Sequence, residues 1–194
     1  MLYNFAVRRK DIFRKEFVVK GEEIFKYRKT VRQYLPDVVS DEDVEKILDA
    51  ALAAPLAAGD DKTTHITVVK PGEIMEKIRA ACQLTRKNGE KMDPLYGAST
   101  MFFVSSTDLS EDCIEFCNAG CVIENILLQA TALDLGSTYI WGCLKKLKKN
   151  PEAVALLNIP EGYEILSAAV VGYPAEPLSE RVGDRERISH NIIK

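Results

Sequence analysis

A long apolar stretch in the second half of the chain restricts the folds that this sequence can adopt. Residues 112–134 repeat aliphatic side chains and cysteines at helical spacing, on more than one face of the predicted helix. A helix that is apolar on several faces has to be covered by other protein. We therefore expect one long central helix, ended by Gly136 as a C′ glycine, and a homodimer that covers the remaining helix face.

Shorter predicted elements surround this helix. Ser40 precedes three acids and an amphipathic pattern, which predicts a capped helix from Asp41 to near Pro55. Further helices are predicted at 21–28 and 74–82, and helical pieces broken by a proline at 144–158. Strands are predicted at 65–69, 101–106 and 165–174, and residues 137–142 are either a strand or the entry to a loop. Residues 54–64 and 86–94 are predicted to be loops. Because helices and strands interleave, the sequence predicts an α+β fold with one packed sheet.

The composition is that of one ordinary globular domain. The chain has 194 residues and a formal net charge of −3, which is too small to favour nucleic acid as a partner. Apolar runs stay well short of the roughly 20 residues of a membrane helix, and the first residues lack the apolar core of a signal peptide. We expect a cytoplasmic protein without membrane or nucleic-acid partners, divided into a basic arm at 1–20 and a folded domain at 21–194.

The five cysteines are expected to stay reduced, because the sequence shows no secretion signal. Cys113, Cys117 and Cys121 lie four residues apart and so form one stripe of the long helix. An iron–sulfur cluster is conceivable there, but the usual cluster spacings are tighter. We interpret the stripe as small buried core residues, because cysteine is among the most buried residue types. His65 and His190 are too scattered to predict a metal site.

Four segments follow one another in an order that resembles the nitroreductase-like family of FMN-dependent flavoproteins. They are Arg28-Lys29-Thr30-Val31-Arg32, the capped helix running through Ala54-Pro55 into strand 65–69, the stretch from Asn118 through Gly136 to Trp141-Gly142, and Ile159–Tyr163 with Val171–Pro174. The resemblance implies a three-layer α/β/α arrangement, in which helices wrap a mainly antiparallel central sheet. It also implies an intertwined homodimer, with the flavin at the interface and the chain termini crossing between subunits.

An FMN-dependent oxidoreductase that works by ping-pong hydride transfer is the activity that the resemblance implies. NADH or NADPH would reduce the flavin, and the reduced flavin would reduce an electron-poor acceptor such as a nitroaromatic or a quinone. The cofactor carries out this chemistry and the protein positions it, so no side chain is assigned as a general acid or base. An alternative on the same fold is a non-catalytic flavin-binding or flavin-sensing protein.

Basic side chains cluster where the resemblance places the FMN phosphate. The candidate phosphate ligands are Arg28, Lys29, Thr30, Arg32, Arg185 and Arg187. In an extended segment, Arg28, Thr30 and Arg32 point to one side, where guanidinium and hydroxyl groups can bind phosphate oxygens. The two C-terminal arginines could close on the phosphate from the other end. A solvated basic strand would explain any such segment taken alone.

Two further segments are candidates for contact with the flavin ring. Ile140, Trp141 and Gly142 would supply a backbone cradle, in which the glycine permits close approach. Relatives usually carry an Asn and a Gln-Pro pair in the loop that precedes the first long strand. Here Asp60 and Lys62 take the places of the Asn and the Gln. The loop is either a surface loop that has drifted or a recast flavin edge.

Overall fold

The computed structural model describes residues 21–59, 61–107, 109–181 and 187–193. Its strands are β1 (Thr64–Val69), β2 (Leu84–Thr85), β3 (Lys91–Met92), β4 (Thr100–Ser106), β5 (Gly136–Ile140) and β6 (Glu164–Gly172). Four of them form a sheet in the order β1-β4-β6-β5, in which every neighbouring pair is antiparallel. The predicted antiparallel central sheet is confirmed. The arm predicted at 1–20 and the candidates Asp60 and Arg185 lie outside the described residues.

Helices pack on both faces of this sheet. In the described part of the chain they are α1 (Gly21–Tyr27), α2 (Asp41–Leu52), α3 (Glu73–Cys82), α4 (Ile114–Ala132), α5 (Leu144–Leu147) and α6 (Pro151–Ala155). Helix α2 begins as predicted, because the Ser40 side chain accepts a hydrogen bond from the Asp43 N–H at 3.1 Å. Within the described ranges, none of the helices combines the length and the apolar content needed to cross a bilayer.

Alternate residues of the strands contribute side chains to two hydrophobic cores, one on each face of the sheet. Met101 and Phe103 of β4 pack with α3, α5 and α6, whereas Phe102 and Val104 pack with α2 and α4. Successive strand residues point to opposite faces, so one apolar strand can serve both cores. All four side chains are fully buried. Burial of both sheet faces produces the three-layer α/β/α arrangement.

An extended segment at 28–35, called the edge segment below, covers the outer edge of β5. Thr30 forms a parallel bridge with Ser137, and the Val31 N–H donates to the Ser137 carbonyl at 3.0 Å. The chain that follows β6 then returns beside the edge segment. Backbone hydrogen bonds join Leu35 to Tyr173, Gln33 to Ala175 and Lys26 to Arg181. Residues from both ends of the described chain therefore meet at this edge of the sheet.

Helix α4 ends earlier than predicted, and Gly136 does not end it. The C-cap is Leu133, and the residue with a left-handed backbone is Asp134 at φ 58°. Gly136 instead opens β5, where a Cβ would lie 2.9 Å from Cγ1 of Val31. The close approach of the edge segment, and not a helix terminus, therefore requires the glycine.

The cysteine stripe is exposed, which contradicts the prediction of buried core residues. Cys113, Cys117 and Cys121 are exposed free thiols in the described structure, because α4 turns larger side chains such as Val122 and Ile126 towards the sheet. A helix with two apolar faces can give only one of them to its own sheet.

The two predicted loops also differ in detail from the prediction. Residues 57–59 and 61–63 form short 3-10 turns, and the 86–94 region contains the turn and the second strand of the β2–β3 hairpin.

Candidate functional site

Side chains as well as backbone hold the edge segment against β5. The Thr138 hydroxyl donates to the Val31 carbonyl, and the Tyr34 hydroxyl lies 3.1 Å from that of Thr138. Since the single Thr138 proton is already engaged, Tyr34 donates in the second contact. Burial raises the pKa of the Tyr34 phenol, which therefore stays neutral at physiological pH. The backbone of the segment is fixed, while the Thr30 and Arg32 side chains stay exposed.

The two arginines of the edge segment turn to different neighbours. The Nε atom of Arg28 is 3.8 Å from Glu124 on α4, whereas the Arg32 guanidinium carbon lies 5.9 Å from the ring centroid of Tyr96. The one-sided arrangement predicted for Arg28, Thr30 and Arg32 is therefore not the one in this structure. The ion pair is long, with a half-exposed carboxylate, and the cation–π contact lies at an exposed arginine, so both contacts are weak.

The remaining basic candidates lie near the C-terminal stretch. The Lys29 ammonium donates to the Ser179 hydroxyl at 2.8 Å, which ties the edge segment to the chain that runs back beside it. Arg187 is exposed in the short described tail at 187–193. Lys29 therefore helps to position the segment, and its assignment to a phosphate stays a prediction, as does that of Arg187.

The turn after β5 combines a buried side chain with an open backbone. Ile140 is buried in the core, so only its backbone can face a ligand. Trp141 is 48% exposed and its ring meets Phe116 edge to face at a centroid distance of 6.0 Å. Gly142 is exposed, and a Cβ built on it would meet nothing within 4 Å. Neighbouring side chains therefore require Gly136 at the start of β5, but the described protein does not require Gly142 at its end.

Hydrogen bonds fix both ends of residues 56–63, called loop 56–63 below, which connect α2 to β1. At the near end, the Ala57 N–H donates to Oδ1 of Asn118 on α4 at 2.9 Å. At the far end, the Tyr163 phenol donates to the Lys62 carbonyl. The Thr63 carbonyl accepts from the Ser106 hydroxyl at the end of β4 and from the N–H of the next residue, Thr107. The Lys62 side chain is exposed. The two described ends of the loop are therefore held, and one of them carries an exposed lysine side chain.

Sequence reasoning missed Asn118 and Tyr34 as contributors to this region. Asn118 is only 8% exposed on the buried face of α4. An amide among apolar residues at helical spacing is a signal in itself, because a buried polar side chain requires a hydrogen-bond partner. For Tyr34 the sequence offers no comparable signal, since its partner Thr138 is more than a hundred residues away.

Comparison with known proteins decides the family. The sequence profile of the Nitroreductase family matches residues 25–173, a range that contains the edge segment, loop 56–63 and the turn at Gly142. The chain belongs to the nitroreductase family. As a member of this family it is an oxidoreductase, as predicted.

Two archaeal relatives of this nitroreductase-family chain share the name "Putative NADH dehydrogenase/NAD(P)H nitroreductase". The Archaeoglobus fulgidus protein is 32% identical over 154 residues, which cover 77% of this chain and 82% of the relative. The Methanothermobacter thermautotrophicus protein is 33% identical over 175 residues, which cover 86% of this chain and 84% of the relative.

Solved nitroreductase structures have the same fold. The nitroreductase of Bacteroides fragilis, solved with bound FMN, superimposes with a TM-score of 0.74 at 25% identity, over 90% of this chain and 99% of that chain. The nitroreductase of Desulfitobacterium hafniense, also with bound FMN, gives a TM-score of 0.74 at 20% identity, over 89% and 98%. The predicted nitroreductase-like fold is confirmed.

Proposed function

We propose that this chain binds FMN and transfers hydride from NADH or NADPH to an electron-poor acceptor such as a nitroaromatic or a quinone. The observation that carries the proposal is the basic segment 28–32, which is held along β5, the strand that ends at the exposed Trp141–Gly142 turn. The FMN bound in the related Bacteroides fragilis structure and the NAD(P)H nitroreductase name of the archaeal relatives support it.

The FMN phosphate would lie against Arg28, Thr30 and Arg32, once the two arginines turn away from Glu124 and Tyr96 to the same side. Guanidinium groups bind phosphate oxygens in pairs, and a phosphate carries more negative charge than the single carboxylate that Arg28 now contacts. The Glu124 side chain is half exposed, so water can solvate it when Arg28 leaves. The described residues therefore fit an anionic group at this edge of the sheet.

The flavin ring would lie against the turn at Trp141 and Gly142. A glycine that its own protein does not require leaves space for a ligand to approach the backbone. When bound, FMN supplies the ring that accepts and returns the hydride. The chain itself binds and orients the cofactor, and we assign no side chain as a general acid or base.

A homodimer formed over the exposed face of α4 is part of the proposal. Most of the described exposed side chains at this face are apolar or small, namely Cys113, Ile114, Phe116, Cys117 and Cys121, and the charged exception is Glu124. An apolar helix face of this kind is usually covered in the working protein. A second copy of the chain would cover it and would bring the two flavin sites close to the interface.

Substitution of Arg32 tests the phosphate contact. Loss of one charge-assisted hydrogen bond costs roughly 1.5–3 kcal/mol, so Arg32→Ala should weaken FMN binding about tenfold to 150-fold. Riboflavin lacks the phosphate, and its affinity should fall much less. Because Trp141 is the single tryptophan of the chain, quenching of its fluorescence can follow both titrations. Equal losses for FMN and riboflavin would refute the phosphate assignment.

A non-catalytic flavin-binding or flavin-sensing protein is the second candidate. It is favoured by Asp60 and Lys62, which stand where the family resemblance implies an Asn and a Gln. Anaerobic addition of NADPH to the FMN-loaded protein distinguishes the two functions. Bleaching of the flavin absorbance would establish electron transfer. An unchanged spectrum, also with NADH, would favour the binding protein.

A further inference from the structure

Two amide side chains on α4 tie it to the chain that leads into β1. Oδ1 of Asn118 accepts from the Ala57 N–H at 2.9 Å, and Nδ2 of Asn125 donates to the Ala50 carbonyl at 2.8 Å. The two residues are seven positions apart, about two helical turns, and therefore lie on the same face of α4. Asn125 holds the last turn of helix α2, whereas Asn118 holds the start of loop 56–63.

Loop 56–63 needs support at this point. Directly after Ala57, the backbone of Ala58 and Gly59 is left-handed, with φ of 57° and 67°. A non-glycine residue keeps such a conformation only when the surrounding contacts hold it there. The hydrogen bond from Ala57 to the buried Asn118 amide is one of these contacts. The amide therefore sets where the loop begins its sharp change of direction.

The other end of the loop carries an exposed ammonium. The Tyr163 phenol fixes the Lys62 carbonyl, and Lys62 is only five positions from the Ala57 that Asn118 holds, so a shift at Ala57 can reach the lysine along the chain. Charge interactions fall off with distance, and a displaced loop would therefore weaken any contact of Lys62 with a ligand. No part of this loop belongs to the edge segment, so phosphate binding and loop position can be tested separately.

We propose that Asn118 is a positioning residue for the flavin, which acts by holding loop 56–63 so that Lys62 stays at the edge of the ring. The inference rests on the proposed function, because it requires FMN at this site. Reduced flavin gathers negative charge at that edge, and a nearby ammonium stabilises the reduced form more than the oxidised form. Loss of the Asn118 acceptor should therefore weaken the binding of reduced FMN more than the binding of oxidised FMN.

Asn118→Leu removes the acceptor at nearly constant volume, and Asn125→Leu is the matched control. Each loses one side-chain hydrogen bond, so both should lower Tm by roughly 2–4 °C. Only Asn118→Leu should change the relative affinity for the two flavin states. The ratio of the dissociation constants of oxidised and reduced FMN should shift about tenfold. That shift corresponds to a midpoint potential about 30 mV lower. If Asn118→Leu fails to fold, Asn118→Ser is measured against the same criteria.

A double-mutant cycle with Lys62→Met tests whether Asn118 acts through the lysine. The potential shift caused by Asn118→Leu should disappear when residue 62 is already methionine. A shift that persists at full size, or an equal shift in Asn125→Leu, would overturn the inference while the proposed function stands. Failure of the wild-type protein to bind FMN at all would overturn both, and the comparison of FMN with riboflavin detects that case separately.

Discussion

The two glycines at the ends of β5 should respond differently to the same substitution. A Cβ at Gly142 meets nothing within 4 Å, so Gly142→Ala should change the free energy of unfolding by no more than about 0.5 kcal/mol. At Gly136 the Cβ lies 2.9 Å from Cγ1 and 3.0 Å from Cγ2 of Val31, a β-branched side chain that cannot easily turn away. Overpacking of this kind costs about 1–3 kcal/mol, so Gly136→Ala should lower Tm by roughly 2–12 °C.

The two glycine variants should rank differently by FMN affinity than by stability. If the ring lies on the turn after β5, a new methyl at Gly142 overpacks the complex and not the apoprotein. The same cost of about 1–3 kcal/mol then weakens FMN roughly 5-fold to 150-fold. Calorimetry on the apoprotein and equilibrium dialysis with FMN measure the two quantities independently. Unchanged FMN affinity in Gly142→Ala would remove this turn from the site.

Val31→Ala supplies the control for the Gly136 arm of the experiment. It removes both methyl groups that the new Cβ would meet and keeps one close contact, with the Cβ of residue 31 at 3.0 Å. Gly136→Ala should therefore cost less in a Val31→Ala background than in the wild type, which gives a non-additive cycle. Additive costs would show that the strain lies elsewhere in β5.

Three further predictions concern the loop lysine, the interface and the end of α4. Lys62→Met should lower the flavin midpoint potential by about 30 mV for each 1.4 kcal/mol of charge interaction lost, and an unchanged potential would show that Lys62 does not interact with the flavin. Light scattering should give a homodimer in which Cys117 and Cys121 react slowly with a thiol reagent, and a monomer with FMN bound would refute the α4 interface. Burial raises the pKa of the Asp134 carboxyl above its ordinary value of 3.8. Ionisation of this carboxyl therefore destabilises the folded state as the pH rises through the raised pKa. Below pH 3.8 the carboxyl is protonated in the folded and unfolded states alike, and the destabilisation vanishes. Asp134→Gly, which also relieves about 1 kcal/mol of left-handed strain, should raise Tm by roughly 2–4 °C at neutral pH and by less in acid; a gain independent of pH would contradict the desolvation effect.

The sheet and the helices could be predicted because their signals are local. A capped amphipathic pattern predicts α2, and apolar runs such as 101–106 predict strands that are buried on both faces. These patterns depend only on the period of the element and on its ends. The family resemblance then supplied the order of the layers, which the solved nitroreductase structures confirm.

The errors arose where distant residues decide the outcome. Gly136 stands where a helix-ending glycine is common, yet its role depends on Val31, which is remote in sequence. The exposure of Cys117 and Cys121 follows from which of two apolar faces α4 turns to the sheet. Extended geometry also did not show that Arg28 would meet Glu124, because that contact depends on the packing of the edge segment against α4. Local patterns carry no information on such contacts.

The pairing of 26–35 with 173–181 has a consequence for the order of events during synthesis. Ribosomes add about 5–20 residues per second, so Gln33 waits on the order of ten seconds for Ala175 to emerge. Until then the outer side of the edge segment lacks the chain that runs beside it and is open to other strands, which makes the unfinished chain prone to aggregation. The segment proposed to hold the FMN phosphate can reach its place only when nearly the whole chain has left the ribosome. Cofactor capture would therefore be the last step of maturation, and only a complete chain would achieve it.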